Sequence, residues 1–124
     1  MTITRTLVTL VDDDESVRES LPDLLREFGF AARTFSSAEE FLASSCVCQT
    51  SCLLLDVAMP GMTGPDLQRE LRERRQEMPI VFITAQRDET VRPRALGEGA
   101  VECLFKPFSE TALLDALNSA LSVA

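Results

Sequence analysis

Five short apolar runs alternate with amphipathic segments along this chain, and four of the runs stop at a charged or hydroxyl-bearing residue. Residues 6–11 meet Asp12-Asp13-Asp14, residues 52–55 meet Asp56, residues 80–83 meet Thr84, and residues 101–105 meet Lys106. The remaining run covers residues 30–35. Runs of strand length separated by helical-period segments are the pattern of βαβ units, in which each crossover helix returns the chain to a parallel neighbour. The expected fold is therefore α/β, a five-stranded parallel sheet with five helices, in one domain over 1–124.

The intervening segments read as follows. Val17, Leu21, Leu24, Leu25 and Phe28 form one helical stripe closed by Gly29, with Pro22 expected to kink it or loosen a turn. Ser37 and Glu40 form a capping-box pattern ahead of Phe41-Leu42. Residues 59–65 are rich in turn formers, and Pro65 suits the first turn of a third helix carrying Leu67 and Leu71 inward. The charged run 69–77 reads as its solvated face. Segment 88–98 should be the fourth helix, but an interior proline costs about 3 kcal/mol and a glycine about 1. With Pro93 and Gly97 inside it, the expectation is an irregular helix: shortened, broken near Pro93, or displaced. Ser109 caps a last helix bearing Leu113, Leu114, Leu117 and Leu121.

In a parallel sheet, ligands bind at the carboxyl ends of the strands. If the four runs are neighbours, three carboxylates, a hydroxyl and an ammonium share one cavity. Adjacent carboxylates repel unless a cation neutralises them, so Asp12 and Asp13 beside Asp56 suit a divalent ion that prefers oxygen ligands. A carboxylate such as Asp56 can attack a phosphoryl group, while Lys106 and Thr84 can hold its oxygens. Taken singly, each residue is unremarkable: a lone Asp after a strand is usually a turn or cap.

Composition narrows the functions. The formal charge of −8 opposes nucleic acid phosphates, so no direct nucleic acid binding by this segment is expected. The absence of histidine removes His-based acid/base and nucleophilic chemistry, and any phosphohistidine donor must be another protein. Cys46, Cys48 and Cys52 match zinc spacing poorly and are expected to be structural or incidental thiols. No signal peptide or span of about 20 apolar residues is visible, so the expectation is a cytoplasmic protein without membrane association.

At this point the residues resemble a family. Val11-Asp12-Asp13, Leu54 through Gly64 (Leu-Leu-Asp-Val-Ala-Met-Pro-Gly-Met-Thr-Gly), Ile83-Thr84-Ala85, Gly99-Ala100 and Lys106-Pro107-Phe108 are similar to the receiver domains of bacterial two-component response regulators. Val17 to Leu21, Ser36 to Glu39 and Phe41-Leu42 further resemble the FixJ-like branch, whose receivers usually control a helix-turn-helix output domain. The resemblance implies a doubly wound sheet of order 2-1-3-4-5, with any output domain beyond this chain. It implies Asp56 as phosphoacceptor, Thr84 and Lys106 as phosphoryl-binding groups, and a cis peptide before Pro107. It also implies Mg2+ (or Mn2+) held by Asp12, Asp13, Asp56 and the backbone carbonyl of Ala58. The implied partners are a sensor histidine kinase and a second copy, meeting through the fourth helix and fifth strand.

Two departures stand out. Receivers usually carry Tyr or Phe three residues before the lysine, coupled to the threonine; here Cys103 occupies that place. Phe105 is expected to face away from Cys103 and so to substitute poorly. The fourth segment is the other departure, where Arg87, Arg92 and Arg94 form a basic face, either solvated or in contact with an acidic partner. Two alternative functions follow: a receiver-fold interaction module with a degenerate switch, or an aspartate-nucleophile phosphatase using Asp12 in a D-x-D pattern. Flavin binding is weaker, because no Trp or Tyr is present to stack on the ring.

Overall fold

The computed structural model describes residues 6–85 and 90–121. Five strands, β1 (Leu7–Val11), β2 (Ala31–Phe35), β3 (Cys52–Asp56), β4 (Ile80–Thr84) and β5 (Glu102–Phe105), alternate with five helices. The helices are α1 (Glu15–Glu27), α2 (Ala38–Leu42), α3 (Gly64–Glu73), α4 (Val91–Gly97) and α5 (Glu110–Leu121). Every pairing is parallel and the order is β2-β1-β3-β4-β5.

The central strands β3 and β4 are buried along their whole length, which is why they read as unbroken apolar runs. Alternation sorts their side chains between two cores. Leu53, Leu55, Ile80 and Phe82 pack with residues of α2, α3 and α4, including Phe41, Leu67 and Ala95. Cys52, Leu54, Val81 and Ile83 pack with Leu21 and Leu25 of α1 and Leu113 and Leu117 of α5. Helices therefore cover both faces, as in a doubly wound sheet.

Polar side chains set four of the five helix starts, α4 having no side-chain cap bond. Asp14 accepts from the Ser16 amide at 3.0 Å, and the Ala112 amide donates to Ser109 Oγ at 3.0 Å. Thr63 and Asp66 form a reciprocal capping box on α3 with Pro65 in its first turn. The Ser37 pattern is only half realised: Ser37 caps the Glu40 amide, but the Glu40 carboxylate turns to Ser36. Three helices end alike. After α1, α3 and α4, amide pairs such as Gly29→Arg26 O and Phe30→Leu25 O close a Schellman motif. Glycine supplies the left-handed residue at Gly29 and Gly99, whereas α3 uses Arg75 at φ 58°.

Helix α1 runs from Glu15 to Glu27 with Pro22 inside it. The expected shortening of the fourth helix holds, while its expected break and the expected facing of Phe105 need correction. Helix α4 is not broken at Pro93: it begins at Val91, so the proline falls in the first turn, where its missing N–H has no intrahelical acceptor to lose. It is short, seven residues, and Asp88 of the expected segment, like Arg87, lies outside the described residues. Phe105 does not oppose Cys103, because residues two apart share a side of a strand. Leu104 is the one that packs into the α1–α5 core, while Cys103 lies in the other.

Candidate functional site

The register brings the strand ends abreast. Val11 pairs with Leu55, so Asp12 and Asp56 leave adjacent strands side by side. Asp56 in turn pairs with Ile83, and Thr84 pairs with Phe105, which sets Thr84 and Lys106 on the next two strands. Asp12, Asp56 and Thr84 are buried, while Asp13 faces solvent. One carboxylate oxygen from each of Asp12, Asp13 and Asp56 lies within 4.8 Å of the others. Lys106 reaches across the sheet, its Nζ 2.7 Å from Asp12 Oδ2, and its amide donates to the Thr84 carbonyl at 2.8 Å. The Lys106–Pro107 peptide is cis.

Backbone contacts hold these groups in place. Asp12 Oδ1 accepts from the Asp14 amide at 2.9 Å, and Arg18 of α1 donates to the Asp12 carbonyl at 2.8 Å. Behind Asp56, the loop carrying Ala58 is closed at its base by the Gly64 amide, which donates to the Val57 carbonyl at 3.0 Å. Met59 anchors that loop in the core, and the Met62 amide donates to Glu39 of α2 at 3.2 Å. Gly64 is obligatory here: an added Cβ would stand 2.3 Å from the Asp56 carbonyl oxygen. Arg18, Glu39 and Gly64 fall within the segments that carry the resemblance, but no local pattern signals their contacts here.

The electrostatics ask for a cation. Burial, and then the charge of Asp12, push the Asp56 carboxyl up to about 8, and Lys106 offsets only part of this. An all-oxygen donor set with surplus negative charge fits a hard divalent ion such as Mg2+ and offers nothing to a soft one. Asp14 stands apart. It caps α1 with its carboxylate on the Ser16 hydroxyl at 2.7 Å, a bond that holds its pKa below the usual carboxylate range. Cys103 is buried beside Phe82, Ala95 and Ala100. All four cysteines are free thiols, and burial pushes the Cys52 thiol up to about 12. Among the described residues no helix is long and apolar enough to cross a membrane.

Fold and site together define a receiver. The family model for the response regulator receiver domain matches residues 8–118, and the chain belongs to that family. It is 44% identical over 117 residues to Nodulation protein W of Bradyrhizobium diazoefficiens, covering 94% of this chain and 52% of that protein. It is 36% identical over 114 residues to the transcriptional regulatory protein FixJ of Azorhizobium caulinodans, covering 92% and 54% respectively. Among solved structures, the response regulator StyR matches with a TM-score of 0.88 at 48% identity, over 97% of this chain and 61% of that one. The chain spans about half the length of the curated relatives it matches.

Proposed function

We propose that this domain is a phosphorylation-dependent switch in which Asp56 accepts a phosphoryl group from the phosphohistidine of a sensor kinase. The observation that carries this is the convergence of Asp12, Asp13 and Asp56 with Lys106 at the carboxyl ends of the parallel strands. A carboxylate oxygen of Asp56 attacks phosphorus, an O–P bond forms, and the P–N bond to the donor imidazole breaks. The Lys106 ammonium, already poised over Asp12, balances charge on the phosphoryl oxygens, and the Thr84 hydroxyl donates to one of them. Asp12, Asp13, Asp56 and the Ala58 carbonyl would hold Mg2+ (or Mn2+), whose chemistry when bound is neutralisation of the phosphoryl charge. No substrate is turned over beyond the domain's own phosphorylation and dephosphorylation, so it acts as a signalling protein rather than an enzyme.

The output is a change of conformation or association, with transcription as the target implied by relatives such as FixJ. The surface in question joins α4 to β5, where Arg92 bridges Glu102 at 2.8 Å. A homodimer through that face is the proposed assembly, and Thr84 with Cys103 the proposed relay to it. Incubation with acetyl phosphate and Mg2+ should add one phosphoryl group to the intact mass, and Asp56→Asn should abolish the addition. An unmodified parent, or a modified variant, would overturn the proposal.

Cys103 favours one second reading: an interaction module that keeps the fold but not the switch, since a thiol is far smaller than the usual ring. A shift in sedimentation on phosphorylation separates the two, because the module predicts none. The D-x-D phosphatase has less support, as Asp14 is committed to capping α1 through Ser16.

A further inference from the structure

A cavity of about 330 Å³ opens between α3 and α4, with none of Asp12, Asp13, Asp56, Thr84 or Lys106 in its lining. Its floor is apolar, made by Val57, Phe82 and Ala95. Its rim carries Arg69 and Arg72 of α3 and Arg94 of α4, against one carboxylate among the described residues, Glu98. Two of these cations, Arg69 and Arg94, are loosely engaged. Arg69 lies 3.7 Å from Asp66 with both side chains exposed. Arg72 faces Glu98 at 3.6 Å, and Arg94 is hydrogen-bonded through its backbone to Thr90 and Glu98, with no side-chain hydrogen bond or ion pair among the described residues. The far end is closed by Gln68 and Arg72, both donating to the Glu98 backbone carbonyl.

Three guanidiniums over an apolar floor make this recess locally basic on a chain of net charge −8. Most of this surface repels anions, whereas a recess walled by protein strengthens attraction to the arginines at its mouth. The volume falls at the lower end of the range of about 300–1,000 Å³ typical of small-molecule sites, which pair apolar walls with a few placed polar groups. Neutral apolar ligands would leave the guanidiniums unused, and a bare inorganic anion would leave the floor uncovered.

We propose that this cavity binds a small organic carboxylate with an apolar body. The body lies on Val57, Phe82 and Ala95, and the carboxylate meets the guanidiniums of Arg94 and Arg69, a geometry suited to paired hydrogen bonds. The proposal does not depend on phosphorylation, and its test does not use it.

The unphosphorylated protein, labelled with nitrogen-15, is titrated with hexanoate and phenylacetate as probes, with the matching amides and inorganic phosphate as controls. Saturable amide shifts at Val57, Gln68 and Ala95 are expected with the carboxylates and not with the controls. Arg94→Gln should weaken the affinity about tenfold, the size of one lost charge-assisted bond. Glu98→Gln should strengthen it several-fold, since it removes the opposing charge at the rim. The opposite sign of the two variants separates a site from general damage to the fold. Absence of saturation, equal binding of amides, shifts confined to other residues, or an Arg94→Gln variant that binds like the parent would overturn the proposal.

Discussion

Replacing Asp56 with asparagine should stabilise the metal-free protein, although it removes the proposed acceptor. Asp56 is 5% exposed, shares its strand end with Asp12 and Asp13, and has its carboxyl pushed from 3.8 to about 8. A carboxyl raised on folding adds its full stability below the unfolded value and loses it as pH rises through the folded one. Between about pH 4 and 8, then, the native state holds a proton that the unfolded chain has released. At about 1.4 kcal/mol per unit, the carboxylate costs roughly 4 kcal/mol at pH 7 relative to a group with no such shift. Asparagine removes the charge but leaves a buried amide that needs partners, so a net gain of about 2 kcal/mol is the expected size. For a domain of this length that raises Tm by roughly 5–10 °C. Far-ultraviolet circular dichroism serves as the probe, because the chain has no Trp or Tyr. The gap between variant and parent should be largest near pH 8 and shrink toward pH 4. Saturating Mg2+ should close it from the other side by stabilising the parent, by about 2.7 kcal/mol at a hundredfold excess over Kd. A gap independent of pH, or a variant no more stable than the parent at pH 8, would refute burial of an uncompensated charge.

Other consequences are simpler. Lys106→Met removes the cation beside Asp12; calorimetric titration should show Mg2+ binding several-fold tighter, with slower uptake from acetyl phosphate. Gly64→Ala forces a Cβ against the Asp56 carbonyl, and denaturant unfolding should show a loss of more than about 2 kcal/mol, the scale of overpacking in a site that cannot yield. Arg75→Gly relieves a left-handed residue at the end of α3 and should gain about 1 kcal/mol in the same assay.

Most of the architecture was legible because both faces of the sheet are covered. β3 and β4 had to be apolar throughout, and the helices had to carry one-sided stripes such as Leu67 and Leu71. The strand-end groups were legible for the same reason: a charged residue terminating a buried run is conspicuous. What escaped were contacts that depend on three-dimensional closeness rather than local pattern. The Arg18 bond to the Asp12 carbonyl and the Glu39 bond to the Met62 amide join elements whose approach no periodicity encodes. Proline misled for a positional reason. Pro93 breaks a helix only from its interior, and where α4 begins decides whether residue 93 is interior at all. Glu40 shows the same limit at shorter range, since its pattern permits two acceptor geometries and the chain adopts the one facing Ser36.

The central claim is that Asp56, and not its neighbours, becomes covalently modified. Phosphorylating the domain with acetyl phosphate and Mg2+, reducing the acyl phosphate with borohydride, and sequencing the peptides by mass spectrometry reads this directly. Homoserine at position 56 alone is the expected result. Homoserine at position 12 or 13, or an unreduced Asp56 in a phosphorylated sample, would contradict it.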